Sequence, residues 1–121
     1  MTPTEQLLGD LLRIDSTQGR EGALGSYLCD LLEPHGYQVR RQPVAPSSRA
    51  AEPSDPFNLI LTRGAPRLFL FGHLDTVQAV GGGGAEWSRP PFGATVEDGR
   101  MYGLGAVDMK GGIAAFVSAA L

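Results

Sequence analysis

Cysteine is nearly missing from this chain of 121 residues: Cys29 is the only one. No intrachain disulfide can form and no cysteine cage can hold zinc, so a reducing, cytoplasmic home is the expectation. Histidine is almost as scarce, with His35 and His73 the whole inventory, which confines imidazole chemistry to two positions. Basic charge is not in excess, since 10 Lys+Arg stand against 13 Asp+Glu for a net charge of -3, and such a balance argues against a general nucleic-acid binder. No run of about 18 apolar residues suggests a membrane span. The opening MTPTEQLLGDLLRID has acidic residues among its apolar ones and no basic start, which is not the pattern of a signal peptide.

What the chain has is 42% hydrophobic residues, 17 glycines and 9 prolines, enough apolar content for one domain of its own over residues 1–121. Thr2, Pro3 and Glu5 read as a helix start: Thr2 can cap, Pro3 suits the first turn, and Glu5 stands three residues after the cap. Leu7, Leu8, Leu11 and Leu12 then form a stripe at helical spacing, and a second stripe runs through Leu24, Leu28, Leu31 and Leu32 until Pro34 and Gly36 end it. Residues 37–41 alternate as a strand. The proline-rich stretch 43–56 reads as a surface loop. Residues 58–62 (NLILT) and 67–71 (RLFLF) read as further strands, the second apolar enough to be buried on both faces. Asp98-Gly99 marks a two-residue hairpin turn. The closing GGIAAFVSAAL reads as a helix apolar almost all round, and with no capping glycine after it the fold is expected to be incomplete at its C-terminus.

Two stretches can carry chemistry. In GHLDTV (72–77) a buried strand runs out at Gly72 and delivers His73 and Asp75, which face one side if the extended backbone continues. An imidazole is a common zinc ligand, and a carboxylate on its second nitrogen orients it; the bland alternative is a loop histidine beside a capping aspartate. In GLGAVDMKGG (103–112), Asp108 sits among Gly103, Gly105, Gly111 and Gly112. A carboxylate there can bridge two cations or simply cap the following helix. The glycine spacing matches neither nucleotide-binding fingerprint, and Lys110 precedes Gly111 instead of following a glycine.

Together GHLDTV, Trp87 with Pro91-Phe92, and DGRMYGLGAVDMKGG at 98–112 resemble the zinc-dependent amidohydrolase and exopeptidase family that includes acetylornithine deacetylase, succinyl-diaminopimelate desuccinylase, aminoacylase and glutamate carboxypeptidase. The resemblance implies a three-layer α/β/α fold with a mostly parallel (mixed) sheet, of which residues 1–121 would be the N-terminal part of the catalytic domain. It implies His73 and Asp108 as metal ligands, Asp108 bridging two zinc ions (cobalt or manganese being alternatives), Asp75 as the carboxylate that tunes His73, and a cis peptide at Asp108–Met109. The implied reaction is hydrolysis of an amide in an N-acylated amino acid or short peptide. A paired Glu-Glu, a further acidic ligand and a distal histidine of that family have no counterpart here, so the chain alone is expected to be inactive. The alternative is a non-catalytic α/β module that self-associates, as a homo-oligomer, or is completed by a partner chain.

Two positions depart from the family pattern: Leu104 stands where arginine is usual, and Gln78 where proline is. Trp87 and Phe92 read as packing under a long loop, Cys29 as an inert thiol, Ser16 and Thr17 as turn residues, and His35 as a helix-end surface residue.

Overall fold

The computed structural model describes residues 1–46, 48, 56–79 and 86–121. The glycine tract 81–84 and most of the proline-rich stretch lie outside them. Helix α1 (Pro3–Arg13) begins where Thr2, Pro3 and Glu5 predict. Thr2 Oγ1 accepts from the Glu5 N–H at 3.2 Å and the Thr2 N–H donates to Glu5 Oε2 at 2.6 Å, so two otherwise orphaned amides are satisfied reciprocally. Helix α2 (Gly22–Leu32) tightens into a single 3-10 turn at Glu33–His35, which holds Pro34 in its first turn. It ends at Gly36 with φ +82°, a left-handed conformation that costs glycine little.

The stripes of these helices meet those of α3 (Gly111–Ala120). Leu7, Leu11, Leu24, Leu28 and Leu32 pack with Ile113, Ala114 and Val117, all at 0–7% exposure. Each leucine so buried contributes about 1.5–3 kcal/mol relative to leaving it in water. Helix α3, apolar nearly all round, is covered on one face only: Gly112, Ala115 and Ala119 lie exposed opposite Ile113 and Val117.

Strands β1 (Gln38–Pro43) and β2 (Phe57–Thr62) pair antiparallel, from Gln38 opposite Thr62 to Pro43 opposite Phe57. Leu59 and Leu61 turn toward the helical core. Strands β3 (Thr95–Glu97) and β4 (Arg100–Tyr102) form the expected hairpin. Its turn residues Asp98 and Gly99 both have positive φ, +49° and +72°, as a tight turn matched to strand twist requires. Arg89 braces this hairpin by donating to the Glu97 carboxylate through Nε and Nη2 while its guanidinium lies over the Tyr102 ring.

The chain is thus a mixed α/β structure, but the mostly parallel sheet of a three-layer fold is not what the described residues form. They hold two antiparallel pairs. Residues 67–71 belong to no strand, and instead of being buried on both faces Leu68, Phe69, Leu70 and Phe71 are 76%, 83%, 46% and 80% exposed. Phe69 and Phe71 stack side by side with ring centroids 6.4 Å apart, the i, i+2 spacing of extended backbone. The physical reason is that a strand apolar at every position needs neighbours along both edges and cover on both faces, and no described residue supplies them. Among the described residues no helix is long and apolar enough to cross a membrane.

Candidate metal centre

Past the exposed segment, the backbone is pinned again at Thr76. The Thr76 N–H donates to Ser16 O at 2.9 Å and the Gln18 N–H donates to Thr76 O at 3.1 Å. This is a parallel bridge between the loop after α1 and the stretch carrying His73 and Asp75. Ser16, Thr17 and Thr76 are all buried. Thr17 donates from both N and Oγ1 to Asp15 Oδ1, at 2.9 and 2.7 Å, the local turn expected of such a residue.

The second stretch forms a wide helical turn, Ala106–Lys110, closed by the Lys110 N–H on Gly105 O at 2.8 Å. The Asp108–Met109 peptide is cis, as the resemblance implies. Gly105 has φ +80°, and a Cβ built on it would stand 2.7 Å from Thr76 Cγ2, so only glycine lets the two loops touch here. The loops are also joined through Met109, whose Sδ accepts from the His73 N–H at 3.3 Å. Asp108 caps nothing: α3 starts after Lys110 with no side-chain cap. Its carboxylate is 84% exposed and points out.

The result is one cluster of the three residues that the sequence singled out. His73 Nε2 lies 2.8 Å from Asp108 Oδ1. His73 Nδ1 lies 3.0 Å from the Asp75 carbonyl oxygen and 3.3 Å from Asp75 Oδ1. Partial burial of the ring disfavours its charged form. The Asp108 hydrogen bond, the Asp75 carbonyl and the two carboxylate charges outweigh that and hold the imidazole above its ordinary pKa. Both ring nitrogens therefore face oxygen acceptors, an arrangement that calls for positive charge between imidazole and carboxylate. The three residues open onto a cleft of about 440 Å³, with Thr76, Val77 and residues 103–107 as its other walls.

The donor chemistry suits a divalent cation: a neutral imidazole nitrogen and a carboxylate facing each other, with a second carboxylate behind the ring. It provides one face of such a site. Asp75 attends the far nitrogen, and among the described residues no group of three or more His, Cys, Asp or Glu is placed to hold one ion. The other candidates stand apart. His35 is exposed, its carbonyl accepting from Arg63 Nη1 at 3.5 Å. Cys29 is buried on α2. Trp87, expected to pack under a loop, is 42% exposed and donates from Nε1 to Ala79 O at 2.8 Å; a half-buried indole keeps its N–H satisfied in this way. Leu104, where the resemblance expects arginine, is buried, and its N–H donates to Pro91 O at 2.7 Å.

A histidine and an aspartate held face to face, each on a loop gathered by glycine and buried threonine, form a donor set of the kind metal-dependent hydrolases use. Comparison with known proteins agrees. Residues 69–121 match the family model described as Peptidase family M20/M25/M40. A succinyl-diaminopimelate desuccinylase of Gluconobacter oxydans is 37% identical over 113 residues, covering 93% of this chain and 28% of that protein. A second, from Methylobacterium nodulans, is 42% identical over 111 residues, covering 92% of this chain and 27% of that protein. These likenesses place residues 69–121 with peptidase family M20/M25/M40, and the chain spans little more than a quarter of the length of the curated relatives it matches.

Proposed function

We propose that this chain provides part of the metal centre of a cytoplasmic amide hydrolase that cleaves N-acylated amino acids or short peptides, succinyl-diaminopimelate being the type of substrate its relatives' names suggest. The reading rests on the 2.8 Å approach of His73 Nε2 to Asp108 Oδ1, with Asp75 on the opposite ring nitrogen. His73 and Asp108 would hold the cation, zinc in the first instance and cobalt or manganese as chemical equivalents. A bound cation would supply the Lewis acidity that amide hydrolysis needs. Asp75 fixes the ring orientation so that Nε2 stays turned toward Asp108. No general base and no further ligand is assigned among the described residues.

Metal content measured by mass spectrometry on protein purified without chelator tests the assignment. Zinc or cobalt uptake is expected in the wild-type chain and lost in His73→Ala and in Asp108→Asn. Equal metal in wild type and both variants would overturn it. The chain alone is expected to show no appreciable hydrolysis of an N-succinyl amino acid, since no base is assigned within it, and robust metal-dependent turnover would refute that.

One observation favours a second reading. The exposed Leu68, Phe69, Leu70 and Phe71 suit a module that self-associates or is completed by a partner chain. Size-exclusion chromatography with light scattering distinguishes the two: a clean monomer at high concentration counts against the second.

A further inference from the structure

Lys110 is a lysine where a core leucine would be expected. It is 1% exposed, and its ammonium donates to Leu11 O at 2.8 Å and to Ile14 O at 2.7 Å. Both acceptors are carbonyls at the C-terminal end of α1, the end of a helix that lacks internal donors and carries partial negative charge. No described carboxylate is within ion-pair distance of it, Asp15 being the acidic group that faces it from further away. Burying an ammonium against neutral carbonyls is costly, and a leucine would fill the space without that cost. Some geometric requirement must retain it.

That requirement is visible in the turn that Lys110 closes. Its backbone N–H ties the turn back to Gly105 O at 2.8 Å, and its stem runs past Gly105, where an added Cβ would lie 3.5 Å from Lys110 Cδ. Asp108 lies between these two anchor points. Its carboxylate is largely in solvent, with His73 as its hydrogen-bond partner among the described residues, so its position is set chiefly by the backbone of the turn. Meanwhile the loop just past α1 grips the other half of the site, through Ser16 and Gln18 on Thr76, the neighbour of Asp75. One segment, the end of α1 and the loop after it, thus holds the histidine stretch by backbone pairing and the aspartate turn through one buried ammonium.

We infer that Lys110 is a positioning residue: by fastening the Asp108 turn to the Leu11 and Ile14 carbonyls, it sets the separation between the His73 imidazole and the Asp108 carboxylate. This rests on the reading of those two residues as the metal-facing pair, but its first test needs no metal. The chain has two histidines, so a long-range proton–nitrogen spectrum of the imidazoles at fixed pH shows His73 against His35 as an internal standard. In wild type the His73 ring nitrogens should be shifted from those of exposed His35. Lys110→Met keeps the stem and removes the donors; it should move the His73 signals toward the His35 pattern while circular dichroism still reports folded helices. Leu28→Ala, buried on α2 and outside the turn, should lower stability and leave the His73 signals in place.

Lys110→Gln retains an NH2 donor group on a shorter stem and should give an intermediate shift, and it is the variant read if Lys110→Met does not fold. His73 signals that coincide with wild type in a folded Lys110 variant, or that move as much in Leu28→Ala, would overturn the inference. Cobalt uptake forms the second arm, with about tenfold or greater weakening expected in Lys110→Met. A wild-type chain that takes up no cobalt tells against the metal-centre reading, while the imidazole spectrum still decides the role of Lys110.

Discussion

Two apolar regions of this molecule have opposite fates. Leu7, Leu11, Leu24, Leu28 and Leu32 of α1 and α2 sit at 0–7% exposure against α3, whereas Leu68, Phe69, Leu70 and Phe71 lie between 46% and 83% exposed only a few residues from the candidate site. Both are rich in large hydrophobes, so composition does not separate them. The difference is in what each pattern asks for. An amphipathic helix needs one covered face, and α1 and α2 find theirs against Ile113, Ala114 and Val117 of α3. A strand apolar at every position needs cover above, below and along both edges, and no described residue supplies it for residues 67–71.

Substitutions can break or sharpen this contrast. Leu24→Ala should have the largest effect, a loss of about 2–5 kcal/mol, because it opens a cavity among residues that have no room to collapse; urea denaturation followed by circular dichroism measures it. Gly105→Ala comes next at about 1–3 kcal/mol, since alanine at φ +80° is strained and its methyl would meet Thr76; reduced metal uptake should accompany it. Thr2→Ala should cost about 1 kcal/mol through loss of the reciprocal cap on α1, read from the same unfolding curves. Phe69→Ser should change stability by no more than about 0.5 kcal/mol, as expected for an exposed position, and should reduce any concentration-dependent association seen by light scattering. If Phe69→Ser cost as much as Leu24→Ala, the two regions would not differ in the way described.

The features legible in the sequence are those decided locally. Thr2, Pro3 and Glu5 specify a helix start within four residues, Gly36 ends a helix by its own φ, and Asp98-Gly99 specifies a hairpin by two backbone angles. Each is satisfied by neighbours along the chain. The segment 67–71 was expected as a buried strand on its apolar run alone, but periodicity says that a surface seeks cover without saying from where. Lys110 shows the converse. Its partners are 99 and 96 residues away, and nothing in the local run VDMKGG distinguishes a lysine destined for the core from one destined for water.

The site divides in the same way. That His73 and Asp75 share a side follows from alternation two residues apart, and the structure places both on one imidazole axis. That Asp108 completes the pair, 35 residues on, was available only through the resemblance, because no local rule brings a turn before a helix up to a stretch beyond an extended segment. The contacts that do so are long-range: Thr76 on Ser16 and Gln18, Met109 on His73, and Lys110 on α1. Buried Ser16 and Thr76 carry the only hint in the sequence, as small polar residues beside apolar runs, and that hint fits a turn equally well.

Trp87 gives the molecule a built-in optical reporter. It is the chain's single tryptophan, and its indole is half in solvent and tethered to the Ala79 carbonyl, outside the helices whose backbone carries the signal in circular dichroism. Emission colour and quenching by iodide therefore follow the meeting of residues 79 and 87, while ellipticity follows α1, α2 and α3. Recorded on one sample, the two traces should part company on heating, and the interval between their midpoints measures how far that tether can open while the three helices still stand.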